Sequence, residues 1–291
     1  MTAVEARHGV ADGYAYCRDL TRREARNFYY GFMLLPEPKR SAIYAAYAFA
    51  RLADDTVDSA RPRDEKLAGL AELRRNLDAS AKGSASGPLW TALADTIQRF
   101  NVPLEHLGEL LDGCQMDLDI GRYESWDDAR RYCHAVASSV GLVSLEIFGY
   151  SDQSARRHAA DLGIALQLTN ILRDLREDAE RDRIYIPLDE IRRFGYSPEE
   201  LFAGVVNDAF RRLMAHQVAR ARECYGGARR LLPLLDRRSA ACCAVMQDIY
   251  SGVLDEIERR DYDVFSERAS VGKARKLAIT ARYWAKASLG R

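Results

Sequence analysis

Carboxylates spaced four apart at the ends of two apolar runs are the first side chains here that could do chemistry. ARLADDTVD carries Asp54, Asp55 and Asp58, and NILRDLRED carries Asp174 and Asp178. On a helix, residues four apart share a face with about 5–6 Å between Cβ atoms, so like charges repel. Near a helix C-terminus the macrodipole adds to that cost. A single D-x-x-x-D is ordinary on a charged surface helix. Two of them, each following a strongly apolar run, call for a cation. The second run also holds amides, Gln167 and Asn170 within DLGIALQLTNIL, and a buried amide without partners costs about 1–3 kcal/mol. At about 100° per residue, Gln167, Asn170, Asp174 and Asp178 fall within about 80° of one another. Arg51, Asp54 and Asp58 make a similar stripe on the earlier helix. If the two helices face each other, five carboxylates and two amides line one cavity.

Oxygen ligands suit a hard cation such as Mg²⁺, with Mn²⁺ as a substitute, better than zinc, which prefers nitrogen and sulfur. Mg²⁺ commonly binds through a few carboxylates together with substrate phosphates. Neither G-x-x-x-x-G-K-[ST] nor G-x-G-x-x-G occurs, so nucleotide cradles have no support. What remains is a diphosphate held by metal at the mouth of an apolar helical cavity. Such a site suits ionisation of an allylic diphosphate: metal neutralises the leaving group, and dry walls protect the carbocation.

The elements that must position these residues are helices. Apolar residues recur at three- and four-residue spacing through SAIYAAYAFARLADDTVD and most of the chain, and alternating strand patterns are scarce. KGSASGP reads as a loop between helices, because LWTALADTIQRF resumes the helical pattern at once. Ser125 with Asp128, and Ser197-Pro198-Glu199-Glu200, read as helix starts. The expectation is an all-α, single-domain chain over 1–291, with 1–13 a flexible lead-in. Lys plus Arg and Asp plus Glu are both 43, a net charge of zero, which argues against a nucleic-acid partner. The six cysteines show no CxxC pair, the N-terminal stretch has no apolar leader, and no run approaches the ~20 apolar residues of a membrane span. A cytoplasmic protein, at most peripheral to a membrane, is expected; oligomeric state is left open.

NFYYGFMLLPEPKRSAIYAAYAFARLADDTVD, RYESWDDARRYCHAVASSVGL and LQLTNILRDLREDAERDRIYIP, in that order, resemble the squalene/phytoene synthases, the head-to-head class of isoprenyl diphosphate synthases. The resemblance runs from about residue 14 to about residue 275. It implies an isoprenoid-synthase-type helical bundle around a central apolar cavity and a prenyl diphosphate substrate. It makes Asp54, Asp58, Asp174 and Asp178 metal ligands with Asn170 among them, and Asp55 a support. Gln167 lines the same site, and Arg51, Arg173 and Arg268 hold diphosphate. Tyr132 and Tyr250 match tyrosines that face the reacting carbons, where a ring face can also stabilise a cation. Where some members carry His or Lys before the aromatic segment, this chain reads RREARNF, which makes Arg26 the substitute and leaves Glu24 unexplained. Phe28, Phe32 and Tyr44 are expected along the prenyl tunnel.

Two bulky aromatics at Phe32 and Tyr44 favour the shorter farnesyl chain, with presqualene diphosphate as product, as in bacterial hopanoid routes. NADPH enters only if the reaction continues to squalene. The alternative is condensation of two geranylgeranyl diphosphates to phytoene; a terpene cyclase and a non-catalytic helical relative are the remaining readings. His134 is expected to be a packed helix residue, Asp117 and Asp119 are placed outside the site, and ERDRIYIP is expected to form a flap over it.

Overall fold

The computed structural model describes residues 3–25 and 27–289, the side chains of 3–8 apart. Among the described residues the chain forms helices α1 (Ala3–Glu24), α2 (Phe28–Phe32), α3 (Lys39–Asp58), α4 (Arg63–Ala81), α5 (Pro88–Phe100), α6 (Leu104–Asp119), α7 (Trp126–Cys133) and α8 (Ser139–Phe148). Then follow α9 (Ala155–Arg173), α10 (Leu175–Glu180), α11 (Leu188–Arg193), α12 (Pro198–Phe202), α13 (Asp208–Ala228), α14 (Arg237–Arg259) and α15 (Lys273–Leu289). A π-turn, His134–Ser138, joins α7 to α8, and a 3₁₀ segment, Arg229–Leu234, follows α13. The fold is all-α, and its buried apolar side chains form one contiguous cluster.

Local chemistry sets the helix starts. Ser125 and Ser197 each accept from the backbone N–H three residues on, while Asp128 and Glu200 reach back to the cap, two complete capping boxes. Asp236 caps α14 by accepting from the N–H groups of Arg238 and Ser239. Residues 82–87 form the loop read from KGSASGP, and Pro88 opens α5 at a position where its missing N–H costs nothing. α1 begins within the stretch taken as a flexible lead-in. At the end of that stretch Gly13 is already packed on α5, where a Cβ would lie 2.5 Å from the Pro88 carbonyl.

α3 carries the first acidic run, α9 leads into the second at Asp174 and α10, and both α3 and α9 pack on α8. α9 also lies against α13, α14 and the π-turn. Close approach to the π-turn is possible because Gly163 has no side chain: a Cβ there would stand 2.6 Å from the Ser138 backbone. Ser138 Oγ donates across the gap to the Ala160 carbonyl at 2.7 Å. At the far end Lys39, on the first turn of α3, donates to the Phe148 carbonyl at the end of α8 and to Asp236 at the start of α14. No helix among the described residues is long and apolar enough to cross a membrane.

Candidate active site

A cavity of about 470 Å³ opens between α2, α3, α8, α9 and α14. Its body is apolar and narrow-walled: Ala46 and Ala50 from α3, Val136 and Ala137 from the π-turn, Gly141 and Leu145 from α8. Leu162, Gly163 and Leu166 from α9 and Met246 from α14 complete it. Towards one end the lining turns polar. Arg51 and Asp54 come from α3, Gln167, Asn170 and Arg173 from α9, Tyr250 from α14, and Arg268 from the segment before α15. The helical stripes read from sequence thus meet across one space.

The α9 stripe bends before it ends. Asp174 leaves helical geometry at φ −106°, ψ 17° and α10 restarts at Leu175. The i,i+4 bonds nevertheless run through, Asp174 N to Asn170 O and Asp178 N to Asp174 O, both 2.9 Å. Asp174 and Asp178 therefore stay in line with the amides at the cavity rim. Arg173 grips Asp174 with Nε at 2.7 Å and Nη2 at 2.5 Å, and Arg268 grips it from the other side at 2.8 and 3.0 Å. On the opposite rim Arg183 pairs with Asp58 at 3.1 Å, and Arg51 pairs with Asp55 at 2.5 Å. Between the rims sits Asp117, accepting from Tyr185 Oη at 2.7 Å and Tyr132 Oη at 3.2 Å.

The electrostatics follow from this crowding. Burial of the carboxyl, then the neighbouring Asp58, push Asp54 up to about 7, although the residue as a whole is exposed at the cavity mouth. Burial, then Asp174 and Asp117, push Asp178 up to about 8. Asp117 is raised by burial, against the pull of Arg183 and its two phenols. Asp174 moves the other way: burial would raise it, but the guanidinium groups of Arg173 and Arg268 hold it below the usual range. The rim is thus an acid-rich mouth already studded with arginines, the arrangement that draws in a metal-bound polyanion.

A family description, squalene/phytoene synthase, matches residues 21–275. The chain belongs to the squalene/phytoene synthase family. It is 38% identical over 282 residues to a 15-cis-phytoene synthase of Synechococcus elongatus, covering 92% of this chain and 91% of the relative. It is 40% identical over 275 residues to a phytoene synthase of Mycobacterium tuberculosis, covering 94% and 90%. Among solved structures, a dehydrosqualene synthase in complex with ligand superposes with a TM-score of 0.88 at 30% identity, covering 96% of this chain and 97% of that one. Squalene synthase HpnC from Alicyclobacillus acidocaldarius does so with a TM-score of 0.82 at 30% identity, covering 90% and 97%.

Members of this family bind diphosphate through a divalent metal, and the residues here fit such an ion. Every donor at the rim is a carboxylate or amide oxygen, and the Asn170 Oδ1 is buried with no partner. Among the described residues no three acids, histidines or cysteines lie close enough to enclose an ion by themselves. Ligands split between two rims leave coordination positions for substrate oxygens.

Most of the expected site residues do meet at this site. Arg51, Asp54, Gln167, Asn170, Arg173, Tyr250, Arg268, Phe28 and Phe32 line the cavity, and Asp58, Asp174 and Asp178 stand at its rim. Tyr44 does not: it is buried beside a separate hollow that it borders with Tyr14 and Tyr29, its ring centre 6.4 Å from Tyr29 and 6.2 Å from Phe32. Tyr47 lines the cavity in its place. Stepping back along α3 from Asp54 at about 100° per residue puts Tyr47 within about 20° of the aspartate and Tyr44 about 80° away, a signal present in the sequence. Tyr132 is also off the cavity; its ring is packed between Tyr185 and Tyr123, at 4.8 and 5.4 Å, with its hydroxyl on Asp117. Asp117, set aside in the sequence, is central. Arg26 lies outside the described residues, while Glu24, at the end of α1, lines the cavity. ERDRIYIP is anchored where it meets the site: Ile184 and Ile186 are buried, and Ile184 N bonds to the Gly121 carbonyl at 3.0 Å. That anchoring sets Arg183 and Tyr185 on the acids.

Proposed function

We propose that this protein condenses two geranylgeranyl diphosphates head to head, as a phytoene synthase. The observation that carries the chain length is that curated relatives 35–40% identical over more than 90% of this chain are named phytoene synthases. Besides the resemblance of the NFYYGF segment to bacterial presqualene diphosphate synthases, the sequence-based ground for farnesyl is Phe32 and Tyr44 as a paired tunnel floor, and Tyr44 stands outside the cavity. Alanine and glycine along the walls suit a long chain.

In the first half-reaction the C1–O bond of one donor breaks, the electron pair leaving with diphosphate. The C2–C3 double bond of the second molecule attacks the allylic cation, and proton loss closes a cyclopropane. In the second half, the remaining diphosphate leaves, the skeleton rearranges, and a second proton is lost. Two diphosphates and two protons balance the C40 hydrocarbon without a reductant. A divalent ion held by Asp54, Asp58, Asn170, Asp174 and Asp178, Mg²⁺ in this reading, would neutralise charge developing on the leaving group. Arg51, Arg173 and Arg268 align the diphosphates, and the dry walls keep water from the cation. The rings of Tyr250, Phe28 and Tyr47 present π faces to it. Tyr132 and Tyr185 position Asp117 and do not touch substrate.

Condensation of two farnesyl diphosphates is the second reading, favoured by the two structural neighbours and by Phe32 and Phe148 in the lining; NADPH would serve only a route on to squalene. Purified protein incubated with each diphosphate and Mg²⁺, with and without NADPH, should convert geranylgeranyl diphosphate to phytoene in extracted lipids, independent of NADPH. A C30 product from farnesyl diphosphate, with nothing from geranylgeranyl diphosphate, reverses the assignment.

A further inference from the structure

α15 (Lys273–Leu289) contributes nothing to the cavity lining, yet it carries the three most exposed large apolar side chains among the described residues. Leu277 is 55% exposed, Trp284 54% and Leu289 76%. At about 100° per residue, Leu277, Ala281, Trp284 and Ser288 fall within about 60° of one another, and Ala274, Ala278 and Ala285 widen the stripe. The opposite face is the one that docks: Ile279 and Thr280 are buried against the body.

The same helix, KARKLAITARYWAKASL, holds five Lys or Arg and no acid, in a chain whose net charge is zero. Arg275 and Arg282 lie along one edge of the stripe, where they pair with Asp255 and Asp248 of α14 and clamp the helix down. Lys273 and Lys286 are exposed at its two ends. α15 rests on α14 and α2, the helices that supply Met246, Tyr250, Phe28 and Phe32 to the cavity wall.

We infer that the outer face of α15 is a docking surface for an anionic lipid bilayer. A tryptophan and leucines on a helix rimmed by cations lie stably in the interfacial plane of a membrane, the ring at headgroup depth and the cations on anionic lipid. A second copy of this chain is the poorer occupant, since two-fold pairing of the same helix would set the exposed Lys273 and Lys286 against the same cations of the copy. Docking there would bring the wall of the apolar cavity to within one helix of the bilayer, a sink for a hydrocarbon that water does not dissolve.

Flotation of the full chain with phosphatidylcholine vesicles, with and without phosphatidylglycerol, tests this. Wild type should float with the anionic vesicles and lose most of that binding at high salt. Leu277→Ala with Trp284→Ala should lower the bound fraction about tenfold, with turnover of detergent-dispersed substrate unchanged. Lys273→Glu with Lys286→Glu, which leaves the apolar packing alone, should abolish the preference for anionic lipid even if the first variant folds poorly. Wild type that ignores both vesicle types overturns the inference. So does a concentration-dependent dimer, by sedimentation without lipid, that the Trp284 variant dissolves. Vesicle binding is read without any product assay, so its failure is separate from failure of the phytoene reading.

Discussion

Asp117 shows how a residue acquires a role from neighbours far away in the chain. In MDLD it is one of two acids near the end of α6, and nothing local marks it. Its meaning comes from Tyr185, 68 residues away, whose hydroxyl donates to it, and from Tyr132, 15 residues away. Tyr44 fails for the reverse reason: its neighbours in sequence suggest the tunnel, but its angle on α3 turns it away from the cavity, where it is buried against Tyr29 and Phe32. The acids and amides of the two stripes were legible because i,i+4 spacing survives folding almost unchanged. Replacing Asp117 with Asn keeps the volume but removes the charge that Tyr132 and Tyr185 hold between the two rims. Outer supports of this kind are typically worth about 10–100-fold in activity or metal affinity. Turnover of Asp117→Asn should fall within that range while its melting temperature stays close to wild type. Unchanged turnover at saturating metal and substrate would remove Asp117 from the site.

At the scale of elements, two contacts hold the cavity walls in place. Gly163 lets α9 lie on the π-turn, and an added methyl must push one of them away from the other. Overpacking of this kind costs about 1–3 kcal/mol. Gly163→Ala should lower the denaturation midpoint correspondingly and reduce turnover as well, because Gln167 and Asn170 ride one and two turns further along α9. Asp236 is the second. Its partial burial would raise the carboxyl, but Lys39, the Ser239 hydroxyl and backbone N–H groups hold it at about 2. An unfolded aspartate titrates near 3.9, so between these values the native chain binds fewer protons. The contribution is whole above about pH 4 and is lost as pH falls through about 2. Stability of Asp236→Asn should therefore depend less on pH from about 4 to about 2 than wild type does, by urea titration at each pH. Equal slopes would show the Lys39 pair to be fully screened. The capping boxes at Ser125 and Ser197 and the loop at 82–87 were readable from sequence because they are local. The break at Asp174 was not, since nothing in NILRDLRED marks a stop.

For the whole molecule, an all-α bundle around one apolar space was visible in the periodicity, as was the meeting of two acidic helices. How the chain seals that meeting was not, because the RDRIYIP segment owes its position to burial of Ile184 and Ile186. A site whose ligands are shared between two rims should respond to metal and polyanion jointly. Mg²⁺ with inorganic pyrophosphate should raise the melting temperature by several degrees, more than the sum of either alone. A ligand at about 100 times its Kd contributes about 2.7 kcal/mol to the native state. Asp174→Ala should lose the joint effect; a wild-type shift with pyrophosphate alone, unaltered by Mg²⁺, would argue against metal at this rim.

The π-turn at His134–Ser138 carries a consequence for how this chain can change over time. It fits one residue more into the helical path than a regular α-helix would hold, and the segment beyond it presents Val140, Gly141, Ser144, Leu145 and Phe148 to the cavity. Deleting one residue from the turn would restore regular winding and leave α7 and α8 in nearly the same register, whereas deleting one from the regular winding on either side would rotate one helix by about 100° against the other. In that second case every one of those side chains would leave the wall together. The wide turn is therefore where this stretch can lose a residue while α8 keeps facing the cavity, and the windings of α7 and α8 are where it cannot.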